Sequence, residues 1–239
     1  MPPTPPAEYP DEAAQPVGIT LAAAVSGRRS VRRFLPDPVP QQTIAEILAR
    51  AARAPSGTNT QPWLVHVVTG DSRDRVAAAV TEAARNDIQS PDYDYHPMKW
   101  FEPYLGRRRK IGYDLYDLVG VDRRDYAARK VQSLKNFSFF GAPVGLFLMI
   151  DRRLRPSSWI DVGMFAATLM LTARDYGLET CPQAAWVWYG GLVRETLGIG
   201  DDQMLLCAIS LGKPDPTAPE NRLTTERAPV DQFTTFHDR

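Results

Sequence analysis

Cysteine is nearly absent from this chain: of 239 residues only Cys181 and Cys207 carry a thiol. Two thiols build no disulfide framework. With 3 histidines and no Cys-x-x-Cys or paired-histidine spacing, no metal site is expected either. Sparse thiols fit a reducing setting, so the cytoplasm is the expected location. Net charge is missing too: Lys plus Arg and Asp plus Glu both total 28, a formal charge of zero. No overall field therefore draws the chain onto nucleic acid. No apolar run reaches membrane-spanning length, and the longest, around Ala142 to Ile150, is strand-sized. The first residues hold no basic segment followed by an apolar one, so no secretory signal is expected. No Gly-x-Gly-x-x-Gly unit, Ser-His-Asp set or paired carboxylates are apparent, which removes a separate dinucleotide-binding unit and hydrolytic chemistry.

What is present is the composition of a globular protein, 44% hydrophobic and 23% charged, long enough for a sizeable core. Residues 1–16 are proline-rich without apolar periodicity and read as a flexible or extended arm. Residues 17–239 read as one domain. Thr20 is placed to cap a short helix ending at Gly27. Ile44, Ile47, Leu48 and Ala51 mark a helix over 41–53, stopped by Pro55. Trp63 to Thr69 reads as a strand, followed by a helix with Val76, Ala79, Val80 and Ala83 inward. A polar loop spans 86–97, and a helical excursion occupies about 93–140, broken near Gly120. Pro143 to Ile150 and Met204 to Leu211 read as buried strands. Ser158 to Tyr176 is a helix apolar almost all round, expected to be packed on several sides, and Leu192 to Leu197 is a short one. From about Gly212 a proline-rich, polar tail follows. The expected fold is α/β (α+β): a three-layer sandwich with a central mixed, mainly antiparallel sheet between helices.

Two segments carry chemistry. Arg28, Arg29 and Arg32 with Ser30 set three guanidinium groups and a hydroxyl within five residues, a pattern suited to a phosphate. A solvated basic turn is the plainer alternative. Pro55, Ser56, Gly57, Thr58, Asn59, Thr60 and Gln61 form a loop of small side chains and amides, able to approach the edge of a planar heterocycle or simply to connect helix to strand. Taken together they fit flavin mononucleotide (FMN), which has a phosphate at one end and a hydrogen-bonding ring at the other.

The run Arg28 to Phe34, then Ala54 to Trp63, resembles the flavin-binding signature of the FMN-dependent nitroreductase family. Asp161-Val162-Gly163, the segment Thr180 to Ala184, and the tail pieces Pro219 to Arg222 and Glu226 to Val230 resemble further parts of it in the same order. The likeness spans roughly residues 18–236, and the long segment Tyr93 to Phe140 is similar to a subgroup that reduces nitroaromatic acids such as nitrobenzoate. It implies an intertwined homodimer with two FMN sites, each built from both chains. Arg28, Arg29, Ser30 and Arg227 would hold the phosphate, and Arg32 would lie toward the pyrimidine, where positive charge raises the reduction potential. Pro55, Ser56, Gly57, Asn59 and Gln61 would reach the ring from the other subunit. Pro182, Gln183 and Ala184 would run along the ring near N5. The implied reaction takes hydride from NADH or NADPH and passes electrons to a nitroaromatic by a ping-pong scheme, the flavin doing the chemistry without a catalytic side chain. A quinone, an activated alkene or a halogenated phenol on the same scaffold stays open as acceptor, as does a non-catalytic flavin store.

Trp100, Tyr104, Tyr113 and Trp186 are candidates for a substrate pocket in which aromatic faces would stack on a nitroarene; core or dimer contacts are the alternative for each. Arg107-Arg108-Arg109-Lys110 spreads around a helix and is expected to point mostly to solvent. Cys181 reads as a buried inert thiol, His66 as structural, and His96 and His237 as loop residues. The implied partners are a second copy of the chain and a small-molecule electron acceptor, with neither nucleic acid nor membrane.

Overall fold

Strand β2 (Val144–Asp151) organises the molecule because it is buried along both faces. Leu146, Leu148 and Ile150 point into one apolar cluster, shared with Ile44 and Ile47 and with Val162, Phe165 and Leu169. Phe147 and Met149 point into the other, with Val76, Val80, Trp186 and Val193. Alternation with period two thus feeds two cores, one on each side of a single sheet. The computed structural model describes residues 14–237, so most of the expected arm lies outside the described residues.

The sheet has the order β1-β2-β4-β3. β1 (Leu64–Thr69) and β4 (Gln203–Gly212) flank β2, and β3 (Glu179–Gln183) adds the outer edge beside β4. All three regular pairings are antiparallel; the parallel component is the bridge between Ser30 and Thr180. Helices α2 (Gln41–Ala51) and α6 (Pro156–Asp175) cover one face, and α3 (Gly70–Arg85) and α7 (Gly190–Leu197) the other. Helix α1 (Leu21–Gly27) is capped by Thr20, whose Oγ1 accepts from the Ala23 N–H at 3.2 Å. The excursion forms α4 (Tyr104–Leu118), with no buried residue, and α5 (Tyr126–Leu134), capped by Asp125. The expected elements occur within a few residues of their anticipated ends. β3 was not anticipated: Glu-Thr-Cys-Pro-Gln lacks apolar alternation, and its proline is tolerated because this is an edge strand. The expectation for α6 is corrected in one respect. Val162, Phe165, Leu169 and Ala173 form a single buried stripe, whereas Ile160, Gly163 and Ala167 lie open to solvent. Among the described residues no helix is long and apolar enough to cross a membrane, and no cluster of metal-ligating side chains occurs.

The loop before α4 is pinned at Ser90 and Asp92. The Asp92 carboxylate is 2% exposed, receives Arg152 and Arg194, and accepts from the Leu205 N–H at 2.9 Å. The Ser90 N–H donates to Trp188 O at 2.8 Å, and its Oγ accepts from the Leu192 N–H at 3.0 Å. This docking demands glycine at position 190, where a Cβ would collide with Asp92 Oδ2. Removing Asp92 leaves Arg152 without a counter-ion and Arg194 with only the exposed Asp201 at 3.6 Å. Asp92→Ala is expected to cost about 3–5 kcal/mol, measurable by denaturant unfolding; a loss under about 1 kcal/mol, the level of a surface pair, would refute the anchoring role.

Candidate functional site

The arginine strap is placed by its neighbours. Val31, 0% exposed, sinks into the core, and its N–H donates to Thr180 O at 3.0 Å. Asn221 grips the next two residues: its Oδ1 accepts from the Arg32 N–H at 2.8 Å, and its Nδ2 donates to Arg33 O at 2.8 Å and Asp215 O at 2.9 Å. With Val31 turned inward, Arg28, Arg29, Ser30 and Arg32 line a cleft of about 1090 Å³. Arg227 closes it from the tail, its guanidinium donating to Thr225 Oγ1 at 2.5 Å and Glu226 O at 2.9 Å. Arg107 and Lys110 of α4 form the facing wall. Arg28, Arg29 and Arg107 have no ion pair and no side-chain hydrogen bond among the described residues. Lys110 pairs with Asp114 at 2.8 Å and with Glu226 at 3.5 Å.

At Arg32 this cleft joins a second compartment of about 430 Å³. Its walls include Arg108, Tyr116, Gln132 and the run from Cys181 to Ala184. Gln183 is 2% exposed and turns its side chain away: Nε2 donates to Asn136 O at 2.7 Å, and Oε1 accepts from Ser210 Oγ at 2.6 Å. The Gln183 side chain is thus held by protein partners, whereas Pro182 is exposed. Ala184 opens a 3-10 turn, where the first N–H has no partner within the turn. Ser133 and Ala184 in turn border a third compartment of about 410 Å³ with aromatic walls. The three compartments thus share wall residues in order: a cationic cleft, a middle, and an aromatic one.

The Pro55 to Gln61 loop lies elsewhere. None of Pro55, Ser56, Gly57, Asn59 and Gln61 lines any of the three compartments. The Gly57 N–H donates to Asp161 Oδ1 at 3.3 Å near the start of α6. The strap end is tied to the other end of that helix, where Arg174 donates to Ala23 O at 2.6 Å and Ala24 O at 2.8 Å. From Asp161 to Arg174 is about 20 Å along the axis at ~1.5 Å per residue. Thr58, Asn59 and Gln61 hold φ of 47°, 60° and 46°, and a β-branched threonine in that region is strained. The Asn59 side-chain amide has no partner among the described residues.

Of the substrate-pocket candidates, Trp186 is corrected. Trp186 is 0% exposed and stacks on Phe139 at 4.6 Å inside the core, its indole N–H donating to Asn136 O at 3.2 Å. Trp100, Tyr104 and Tyr113 line none of the compartments; Trp100 packs behind His96 at 5.4 Å, and Tyr113 lies under Arg123 at 4.5 Å. The residues of α4 that line these compartments come from the basic run, expected to point mostly to solvent, and from Ile111, Asp114, Leu115 and Tyr116. Their signal was helical spacing, 107-111 and 108-115, rather than aromatic character. His96, read as an ordinary loop residue, lines the aromatic compartment.

A three-layer sandwich bearing a large cationic cleft that shares Arg32 with a smaller compartment defines the class of protein by fold and site. The chain belongs to the nitroreductase family, whose profile matches residues 25–213. It is 42% identical to 4-nitrobenzoate reductase of Pseudomonas putida over 90% of this chain and 94% of that one. It is 38% identical to nitrobenzene nitroreductase of Ectopseudomonas oleovorans, covering 89% and 94%. Among solved structures, the FMN-dependent nitroreductase NfnB from Mycobacterium smegmatis in complex with NADPH superimposes with a TM-score of 0.86 at 34% identity, covering 90% and 97%.

Burial pushes the Cys181 thiol up to about 12 and Cys207 to about 11. The reactive thiolate is therefore scarce in the folded protein at any pH below these values. At pH ~8, near the ordinary cysteine pKa, a disulfide dye should label neither thiol in the native chain and both after unfolding. Prompt native labelling would contradict the burial.

Proposed function

We propose that this protein is an FMN-dependent oxidoreductase that consumes NAD(P)H and reduces nitroaromatic acceptors, working in the cytoplasm as a homodimer. The observation that carries the reading is the cleft lined by Arg28 and Arg29, which form no ion pair among the described residues, next to a compartment that shares Arg32 with it and is walled by the run Cys181 to Ala184. Relatives named 4-nitrobenzoate reductase and a solved NADPH complex support the same chemistry.

The donor set suits FMN. Arg28, Arg29 and Arg227 offer charge-assisted donors to a phosphate, and Ser30 a hydroxyl. Arg32 places a fixed positive charge beside the ring compartment, where negative charge would gather on reduction. The Ala184 N–H is offered at the edge the ring would present. Six cationic side chains against two carboxylates line the large cleft, more than one phosphate monoester at about −2 neutralises. Arg107 on the facing wall is thus available to the phosphates of the nicotinamide nucleotide. FMN supplies the hydride acceptor and electron-pair donor; the chain binds, orients and excludes water. In the first two-electron turnover NAD(P)H and one proton are consumed, an N–O bond of the nitro group breaks, and nitroso product and water leave.

The dimer completes the site. The strained Pro55 to Gln61 loop sits too far along α6 to serve its own groove, so it serves the partner's. The open face of α6 fits a helix contact: Gly163 weakens a helix by about 1 kcal/mol relative to alanine, and a Cβ there would meet nothing within this chain. Ile160, 67% exposed, lies on the same face.

Anaerobic NADPH should bleach the visible flavin band of the loaded protein, and a band that persists with both NADPH and NADH would refute the reductase reading. Arg28→Ala is expected to raise the FMN dissociation constant roughly ten- to a hundredfold, since a charge-assisted hydrogen bond contributes about 1.5–3 kcal/mol. Titration of apoprotein with FMN reads it. Asn59→Ala chains and Arg28→Ala chains should each make poor homodimers, whereas mixed dimers recover one intact site in two. Absence of recovery rejects the shared site.

A further inference from the structure

His96 joins a fixed part of the molecule to a lightly attached one. Its imidazole lies 5.6 Å from the Trp188 ring, 5.4 Å from Trp100 and 4.8 Å from Tyr95. Trp188 is on the fixed side: its carbonyl accepts from the Ser90 N–H at 2.8 Å. Trp100 is on the other, with the Arg108 guanidinium of α4 5.2 Å over its ring. α4 buries no residue, and its ion pair to the tail joins two exposed side chains, Lys110 and Glu226, at 3.5 Å. We propose that His96 is an acid-released latch: the neutral imidazole holds α4 against the body, and protonation detaches α4, and with it the Arg107 and Lys110 wall of the cationic cleft.

The geometry around the ring carries it. His96 Nδ1 is out of water with no partner among the described residues. In the neutral ring this nitrogen stands as a bare acceptor, whereas an imidazolium carries a donor on both nitrogens. Protonation therefore places a charged donor where no acceptor meets it. The surrounding charges do not compensate. On the α4 side stands Arg108, of like sign. On the body side Trp188 and Tyr189 bring no charge near neutral pH. Lys130 of α5 and Asp87 after α3 border the same compartment but pair with each other at 3.1 Å. In the loop itself Asp92 is engaged by Arg152 and Arg194, and neither Asp94 nor Lys99 bonds the ring. Desolvation, reinforced by Arg108, accordingly lowers the His96 pKa. Attraction of an imidazolium to the three neighbouring rings opposes this, and a raised pKa is the mark it would leave. A released imidazole, back in water, has the ordinary pKa of about 6.5. The latch is thus fully held above that pH and weakens as pH falls through it, because the released form binds the proton better. At pH ~5.5 release is favoured by up to about tenfold.

The test uses the full chain. Hydrogen exchange of α4 is compared at pH ~7.5 and ~5.5, a range in which ordinary carboxylates stay ionised. It is expressed as a protection factor, so that the intrinsic pH dependence of exchange cancels, with β2 as internal reference. Protection of α4 should fall about three- to tenfold at the lower pH while β2 holds. His96→Gln, which has no proton to gain, should abolish the difference, and Arg108→Gln should shrink it. Proton NMR titration of the unaltered protein, its 3 histidines assigned with single histidine-to-glutamine variants, should place His96 below the ordinary value. A His96 pKa at or above that value overturns the proposal. So does α4 protection that is equal at both pH values, or a loss that persists in His96→Gln. Loss of β2 protection in step with α4 would indicate global unfolding and reject the latch as well. None of these readouts depends on what occupies the cleft.

Discussion

Like charges do not gather without something holding them, and here the holder is the clamp on residues 30–33. Val31 is buried and bonded to Thr180, and Asn221 binds the backbone on both sides of the Arg32 peptide. Three stretches far apart in the chain, the strap, the edge strand and the tail, meet within a few residues of β3. The arginines repel one another, but their backbones cannot retreat because retreat would expose Val31 and leave the Arg32 N–H without its acceptor. The cationic cleft therefore inherits its geometry from the pairing of β3 with β4, an interior feature far stiffer than a surface loop.

The two walls of the groove differ in kind. The β3 side is continuous with the buried sheet, while α4 on the opposite side buries no residue and is held by contacts such as Lys110 with Glu226 and Arg108 over Trp100. Elements with few buried apolar contacts open at low free energy. A rigid floor under a lightly attached wall suits a protein that must admit a nucleotide and then an acceptor over one ring. The floor keeps donors in register, and the wall yields to ligands of different outline.

Much of this was legible from residues alone. Buried strands and helix faces follow from periodicity, and Gly27, Pro55 and Gly177 stop helices where expected. The strap and the Ser56 to Gln61 loop were marked by residue type, and the structure sets them apart along α6. What failed did so for identifiable reasons. β3 hid because a proline-bearing edge strand has no alternation to display. Trp186 looked like a pocket residue because its neighbours in sequence line the groove, yet its 3-10 turn rotates it into the core against Phe139. The basic run is exposed, as its spread around α4 implied, and Arg107, Arg108 and Lys110 also line the clefts, which that spread alone did not show. His96 carried no pattern, since its role comes from Trp188, more than ninety residues away in the chain.

Asp92 lies only a few residues before Tyr95 and His96. The Arg152–Asp92–Arg194 junction, with Ser90 beside it, moors the peptide that delivers both rings to the aromatic compartment, where Tyr95 is 39% exposed. Mooring and palette are thus separated by a few peptide units. Such a division lets the tip vary while the anchorage stays intact, so a change at position 95 or 96 leaves the Asp92 junction untouched.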